Sequence, residues 1–301
     1  MNAYEVIIAC GFRGEVKIDE PMSKHTTLGI GGPADVMAYP LDVQDAAGLI
    51  SAAWREGVQV TVTGLGSNLL VSDNGIRGIV LNTANMSQVE VDEETATVKA
   101  GAGAKLSVLV SRCADAGLAG MEFAAGIPGT VGGAVRMNAG TKTGEIKDVL
   151  LGVTVIGREG NIAEAKSEDM DHAYRKSSLP EGAIAATAVF KLCRGNPDEL
   201  KRKIKEAIAA RKVAQPYDVM SAGSAFKNPP GHFAWRLIDE AGMKGVSVGG
   251  AKVSEKHTNF LINTGNSTAK DFKSLMDKVV AAVKEKTGIT LEPEIKTIGE
   301  I

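Results

Sequence analysis

Apolar positions change period several times along the chain, and each change predicts an element. Between Asp42 and Gly57, Val43, Ala46, Ala47, Ile50, Ala53 and Trp54 recur at helical spacing behind a potential Asp42 cap. Val58 to Thr63 alternates like a strand, runs into Gly64-Leu65-Gly66-Ser67-Asn68, and is followed by the apolar Leu69 to Val71 and a short strand from Gly78 to Asn82. Val89 to Ala100 reads as a hairpin turning at Asp92-Glu93-Glu94. Lys105 to Ala116 is helical by period, with Leu106, Leu109, Val110 and Cys113 on one side and Gly117 as its stop. Val149 to Ile156 and Asn161 to Ala165 pair as strands, and Ala183 to Cys193 is a buried strand. A helix opens at Asn196-Pro197-Asp198 and runs to about Val213 with a charged exterior, as a connector between domains would. Beyond it the pattern predicts a helix from Phe233 to Ala241, a strand from Asn259 to Asn263, a helix from Ser267 to Lys286 carrying Phe272, Leu275, Val279, Val280 and Val283 at the 3.6-residue period, and a last strand from Thr290 to Ile298.

The chain's 301 residues fit two or three domains, and 44% hydrophobic with 23% charged residues is an ordinary globular balance. A formal charge of −2 supplies no field for nucleic acid or an anionic membrane. No apolar run is long enough to span a bilayer, and the N-terminus lacks a signal-peptide pattern. Cys10, Cys113 and Cys193 suit neither a disulfide framework nor a zinc site, which points to a reduced, cytoplasmic protein; the four histidines form no metal-ligand spacing. Glycine is the excess, at 35 residues. It concentrates in two turns, Gly64 to Asn68 and Gly126 to Gly140, too dense in the second case for an ordinary core element. Successive N–H groups in such turns can line a diphosphate: tight chain reversal is the favoured reading of a single short glycine turn, and a nucleotide or cofactor diphosphate that of the longer second one. Neither turn is a Rossmann fingerprint or a P-loop.

Three further places could carry chemistry. Ser224 lies among small residues in Ser221-Ala222-Gly223-Ser224-Ala225-Phe226-Lys227-Asn228-Pro229, without a Gly-x-Ser-x-Gly elbow, so on the residues alone a loop serine bonding its own backbone is the favoured reading. Arg175 in Tyr174-Arg175-Lys176-Ser177-Ser178 and Glu294 in Leu291-Glu292-Pro293-Glu294-Ile295 are charges flanked by apolar or small residues. On the residues alone, solvated charges or ordinary ion pairs are the favoured reading.

Taken in order, these stretches resemble one family. Lys24-His25-Thr26-Thr27-Leu28-Gly29-Ile30-Gly31-Gly32-Pro33-Ala34-Asp35, Gly64 to Val71, Gly126 to Gly140, Tyr174-Arg175, Gly223 to Pro229 and Leu291 to Glu294 are similar to the motifs of the UDP-N-acetylenolpyruvoylglucosamine reductases, flavoenzymes of peptidoglycan precursor synthesis. Leu65 departs from a glycine usual in relatives, and the spacing from Arg175 to Ser224 matches the compact subclass without a substrate-covering insert. The resemblance implies an α+β protein: a two-subdomain FAD-binding fold of the vanillyl-alcohol-oxidase (PCMH) type plus a C-terminal α+β substrate-binding domain. The expected division is 1–82 for the first FAD subdomain, completed by the strand at 290–301, then 83–195 for the second and 196–289 for the substrate domain.

The resemblance further implies reduction of the enolpyruvyl ether of UDP-N-acetylglucosamine enolpyruvate to UDP-N-acetylmuramate, with non-covalent FAD and NADPH as reductant. Ser224 would be the proton donor, with Arg175 and Glu294 stabilising the enolate, the glutamate as a protonated donor. Gly64, Gly66, Ser67, Asn68, Gly126, Gly129, Thr130, Gly132, Gly133, Asn138 and Gly140 are the expected FAD contacts. Arg211, Gln215, Lys227, Asn228 and His257 are the expected substrate contacts. A flavin oxidase of the same fold and a non-catalytic sugar-nucleotide-binding protein are the competing readings.

Overall fold

The computed structural model describes residues 1–300, which form two compact units: residues 1–18, 35–65 and 78–209 in the first, and 19–34, 66–77 and 210–300 in the second. In the first unit, α1 (Ala3–Ala9) starts at a capping box in which Asn2 and Glu5 satisfy each other's backbone N–H groups. That Asn-x-x-Glu signature was legible in the sequence, but the expected elements begin only at Asp42. α2 (Val43–Arg55) is capped by Asp42 as expected, whereas Trp54 is exposed and carries the Arg158 guanidinium over its ring at 4.3 Å. Leu49, fully buried, takes the core position instead.

Two layers of core follow from this. Val6, Ile7, Ala46, Leu49, Ile50 and Ala53 pack against a four-stranded sheet in which Val60–Thr63 runs parallel to Ile79–Asn82. A second cluster lies on a five-stranded antiparallel sheet ordered Ile162–Lys166, Leu150–Ile156, Ile184–Lys191, Thr97–Gly101, Val89–Asp92. The predicted hairpin at 89–100 and the pair around Gly157 to Gly160 are both present. α3 (Leu106–Asp115) buries Leu106, Leu109, Val110 and Cys113, and Gly117 ends it at φ +66°. The dense glycine segment holds a surprise in α4 (Val131–Arg136): Val131, Ala134 and Val135 are buried, so this segment does contribute to a core. α5 (Pro197–Ala214) lays Ile204, Ala207 and Ile208 on the same cluster, and the division between the units falls within it.

In the second unit, α6 (Ala234–Glu240) and α7 (Ala269–Thr287) pack with a four-stranded antiparallel sheet ordered Met220–Ser224, Phe260–Asn263, Ala251–Val253, Ser247–Val248. α7 carries a Thr268–Asp271 capping box and ends at Gly288, φ +74°. The last strand is shorter than the sequence predicts: only Lys296–Ile298 is strand, parallel to Leu69–Val71. Pro293 has no N–H to give a ladder and makes a single bridge to Phe226, which interrupts pairing before Lys296.

Candidate active site

The first unit brings parts of the two glycine turns together. Strand Val60–Thr63 delivers Gly64, whose carbonyl accepts from Asn82 Nδ2 at 3.2 Å. A Cβ on Gly64 would stand 2.3 Å from Thr130 Oγ1, so a side chain there would collide with the hydroxyl that opens α4. Thr130 is buried and bridges Lys105, flanked by Leu106 N–H to Gly129 O and Val131 N–H to Ala104 O. Gly132 donates to Ala102 O at 2.9 Å, and its missing Cβ makes room for Ala102, 3.0 Å away. Gly133 is exposed, with nothing nearer to its Cβ position than Thr130 Oγ1 at 3.8 Å. Gly126 and Gly129 take φ of +74° and +147°, conformations that glycine alone adopts freely.

Asn138 is only 1% exposed and is heavily engaged inside the protein. Its Nδ2 donates to Glu145 Oε2 at 2.9 Å and to Ala173 O at 3.3 Å, and its Oδ1 accepts from Lys147 N–H at 3.0 Å. It therefore ties the end of the glycine segment to the short hairpin His172–Ala173 and Lys176–Ser177, at whose tip Arg175 sits at φ +59°. Arg175 Nη1 donates to Gly140 O at 3.1 Å, with its guanidinium 5.2 Å from the Tyr174 ring. Arg136, at the end of α4, donates to the carbonyls of Pro180 and Ala183, and burial pushes its pKa below the usual value.

The second unit joins Ser224 to Glu294. Strand Met220–Ser224 bulges at Gly223, φ +76°, and recovers register with Ser224 opposite Phe260. Ala225 O then accepts the Glu294 N–H at 2.8 Å, Phe226 bridges Pro293, and the Lys227 N–H reaches Glu292 O at 2.9 Å. The carbonyl of Glu294 accepts from Asn68 Nδ2 at 3.1 Å, and Asn68 O takes the Lys296 N–H at 2.9 Å, next to the half-buried Ser67. A Cβ on Gly66 would lie 2.0 Å from His25 O. Lys227 Nζ pairs with Glu292 Oε1 at 2.5 Å and holds that carboxyl below its usual range. Asn228 Oδ1 accepts the Ala234 N–H at the start of α6. The Gln215 N–H donates to Arg211 O at the end of α5, beside a cleft of about 420 Å³ lined by Lys212, Tyr217, Lys252 and Lys256. His257 sits edge-on to Phe260 at 5.0 Å, and burial lowers its pKa.

Of the expected residues, the structure thus gathers Gly64 and Thr130, then Asn138, Gly140 and Arg175, and then Asn68, Ser224 and Glu294, while Lys227 and Asn228 are engaged with protein groups. Asn259 was missed. It is buried and bonds the backbone on either side of Phe226, a role that no local motif signals.

Comparison with known proteins fixes the family. Residues 215–298 match the family model described as UDP-N-acetylenolpyruvoylglucosamine reductase, C-terminal domain, and residues 34–166 match the FAD binding domain. A UDP-N-acetylenolpyruvoylglucosamine reductase from Lachnoclostridium phytofermentans is 46% identical over 289 residues, covering 95% of this chain and 93% of that one. The chain belongs to the UDP-N-acetylenolpyruvoylglucosamine reductase family. A Clostridioides difficile reductase of the family is 42% identical over 95% of this chain and 94% of its own. The crystal structure of the Thermus caldophilus reductase aligns with a TM-score of 0.80 at 38% identity, covering 95% of this chain and 99% of that one. A glucooligosaccharide oxidase from Acremonium strictum, at 17% identity and a TM-score of 0.51 over 97% of this chain and 60% of its own, shares the fold alone. The family's FAD-binding fold of the vanillyl-alcohol-oxidase type, joined to a reductase C-terminal domain, is therefore the architecture, and FAD is the cofactor.

The residues present fit that cofactor. Neither glycine turn contains a carboxylate, Arg136 is the single charged residue in the two, and Gly133 is open to solvent beside the Thr130 hydroxyl. Neutral donors and bare backbone suit an anionic diphosphate. Among the described residues no helix is long and apolar enough to cross a membrane.

Proposed function

We propose that the protein reduces the enolpyruvyl ether of UDP-N-acetylglucosamine enolpyruvate to the lactyl ether of UDP-N-acetylmuramate, in the cytoplasm, as a step of peptidoglycan precursor synthesis. FAD, kept reduced by NADPH, supplies the hydride that adds to the terminal vinyl carbon. The residues proposed to hold it are Gly64, Gly66, Ser67, Asn68, Gly126, Gly129, Thr130, Gly132, Gly133 and Gly140. Asn138 serves the same site by holding the backbone of the second turn. We keep the division into FAD subdomains at 1–82 and 83–195 and a substrate domain at 196–289 as part of the reading.

Hydride addition leaves negative charge on the carbon beside the substrate carboxylate, delocalised as an enolate. Arg175 supplies a permanent cation to that carboxylate, and Glu294 a neutral O–H donor. Ser224 Oγ delivers its proton to the carbon and recovers one from water. A hydroxyl is a weak acid, but transfer to a strongly basic enolate depends on placement more than acidity. Arg211, Gln215, Lys227, Asn228 and His257 are the proposed contacts to the sugar nucleotide.

The observation that carries this reading is the pairing of the Ser224 segment with the Glu294 segment through the Ala225 carbonyl. The test uses purified protein. A flavin absorption band that survives in the supernatant after acid precipitation, with NADPH consumption dependent on the enolpyruvyl sugar nucleotide, is expected. Colourless protein, or NADPH oxidation indifferent to that substrate, would overturn it.

A further inference from the structure

Asn259 lies outside every motif that carries the family resemblance, yet its side chain makes two bonds to the Ser224 segment and its backbone a third. Its carbonyl oxygen accepts the Ala225 N–H at 2.7 Å, its Oδ1 accepts the Phe226 N–H at 3.0 Å, and its Nδ2 donates to the Phe226 O at 2.8 Å. The side chain is thus a stand-in strand partner: a carboxamide presents an acceptor and a donor along one edge, as a peptide group does. It acts where the ladder has run out: strand Met220–Ser224 stops at Ser224, opposite Phe260 at the start of its partner, so Phe226 lies past the end of the paired strands. On the other edge of the same three residues, Glu294 N–H, Pro293 and Glu292 O complete the pairing. Residues 225–227 are held from both sides, and Ser224 enters that clasp directly. Asn259 is 4% exposed and Phe226 1%, so water cannot replace a lost partner.

We propose that Asn259 is a positioning residue for the reduction, fixing the proton donor Ser224 and, through the Ala225 carbonyl, the backbone of Glu294 in one register. The proposal rests on the function proposed above for Ser224 and Glu294. Its chemistry requires that amide's two arms: Asn259→Ala removes both, and ionised Asn259→Asp sets an oxygen against the Phe226 carbonyl. A protonated aspartic acid, however, again offers one acceptor and one donor on the same edge. The Asp variant is therefore expected to regain function as pH falls, and the Ala variant is not. The titratable groups around this segment are Lys227 on it, His257 beside Asn259 on one edge and Glu292 and Glu294 on the other, so each variant is compared with the unmodified protein at every pH.

The experiment follows the flavin of the purified holoenzyme by stopped flow. Flavin content, flavin reduction by NADPH and affinity of the oxidised enzyme for the enolpyruvyl substrate are expected within about twofold of the unmodified protein. Reoxidation by that substrate is expected to slow roughly 10²-fold in both variants, the size of effect a displacement of about 1 Å produces. Lowering pH should restore the Asp variant alone. Amide hydrogen exchange in Asn259→Ala should accelerate in residues 224–228 and 291–296 ahead of the rest of the second unit. Reoxidation unchanged in both variants, or slowed without low-pH rescue of the Asp variant, would overturn the positioning role. An unmodified protein whose reduced flavin is not reoxidised by the substrate would instead overturn the reading of Ser224 and Glu294 on which it rests.

Discussion

The Gly64–Thr130 approach in the first unit and the Ser224–Glu294 segments of the second reach their geometry by opposite means. At Gly64 and Thr130 the determining feature is an absence: a side chain at 64 would sit 2.3 Å from the Thr130 hydroxyl, so approach of the two turns depends on glycine. At Ser224 and Glu294 the determining feature is pairing, since 70 residues apart in sequence the two segments meet through backbone bonds at Ala225 and Lys227. A local composition therefore announces the first region. The second is announced only by residues whose partners are distant. Substitutions should separate the two regions cleanly, one controlling whether cofactor stays bound and the other controlling what happens to substrate.

The sharpest separation should come from Ser224→Ala. Removing a positioned proton donor costs on the order of 10²–10⁴ in rate, so reoxidation of reduced flavin by the enolpyruvyl substrate should fall by about 10³-fold. Flavin reduction by NADPH should stay near its original rate, and flavin content should not change. Equal loss in both half-reactions, measured by stopped flow, would remove Ser224 from the proton-donor role.

Next in size is the pair of Glu294 variants. If a neutral donor is what the enolate needs, Glu294→Gln should keep activity within about tenfold, and Glu294→Ala should lose roughly 10²-fold or more, the usual range for one lost charge-stabilising donor. Matching losses in kcat for the two variants would show that ionisation of the carboxyl is required after all.

On the glycine side, Gly64→Val drives a branched side chain into the buried Thr130. Overpacking of this kind costs about 1–3 kcal/mol, so FAD affinity should fall about ten- to hundredfold. Equilibrium titration of the apoprotein with FAD measures it. The same variant, once saturated with FAD, should show reoxidation by substrate little altered; a slowing comparable to Ser224→Ala would erase the distinction between the regions.

How far the sequence exposed these features follows the same divide. α2, α3, α5 and α7 were legible because an apolar face repeats every 3.6 residues beside a usable cap or a glycine stop, as at Asp42 and Gly117. The strand expected at Thr290 shrank to Lys296–Ile298 because Pro293 cannot donate to a ladder, a rule readable in advance but outweighed by the alternation around it. Among site residues, Thr130 and Gly64 stood out by composition. Asn138 stood out too, although its amide turned out to bind Glu145, Ala173 and Lys147. Asn259 gave no signal, since an asparagine opening a strand looks like any turn residue until the fold brings it the N–H and carbonyl of Phe226, 33 residues away in the chain.

The smallest expected effect contrasts the buried titratable groups of the two units. Burial pushes the Cys113 thiol in the first unit up to about 12, so it stays neutral throughout the working range and adds no pH dependence there. In the second unit burial lowers the pKa of His257, whose Nδ1 has no hydrogen-bond partner and whose ring packs against Phe260 opposite Ser224. The unfolded chain takes up a proton as pH drops through about 6.5, while the folded protein resists until its depressed value is reached. His257 thus favours the folded state fully above about 6.5 and loses that contribution as pH falls from there toward the folded pKa. Asp42 and Asp271, held below 3.8 by backbone hydrogen bonds, weaken the fold only in a lower window. Melting temperature between pH 7.5 and 5.5, chosen to bracket about 6.5, should decline in the unmodified protein and decline less in His257→Gln. Parallel melting curves for the two proteins across that interval would mean that the imidazole is already free to take a proton in the folded state.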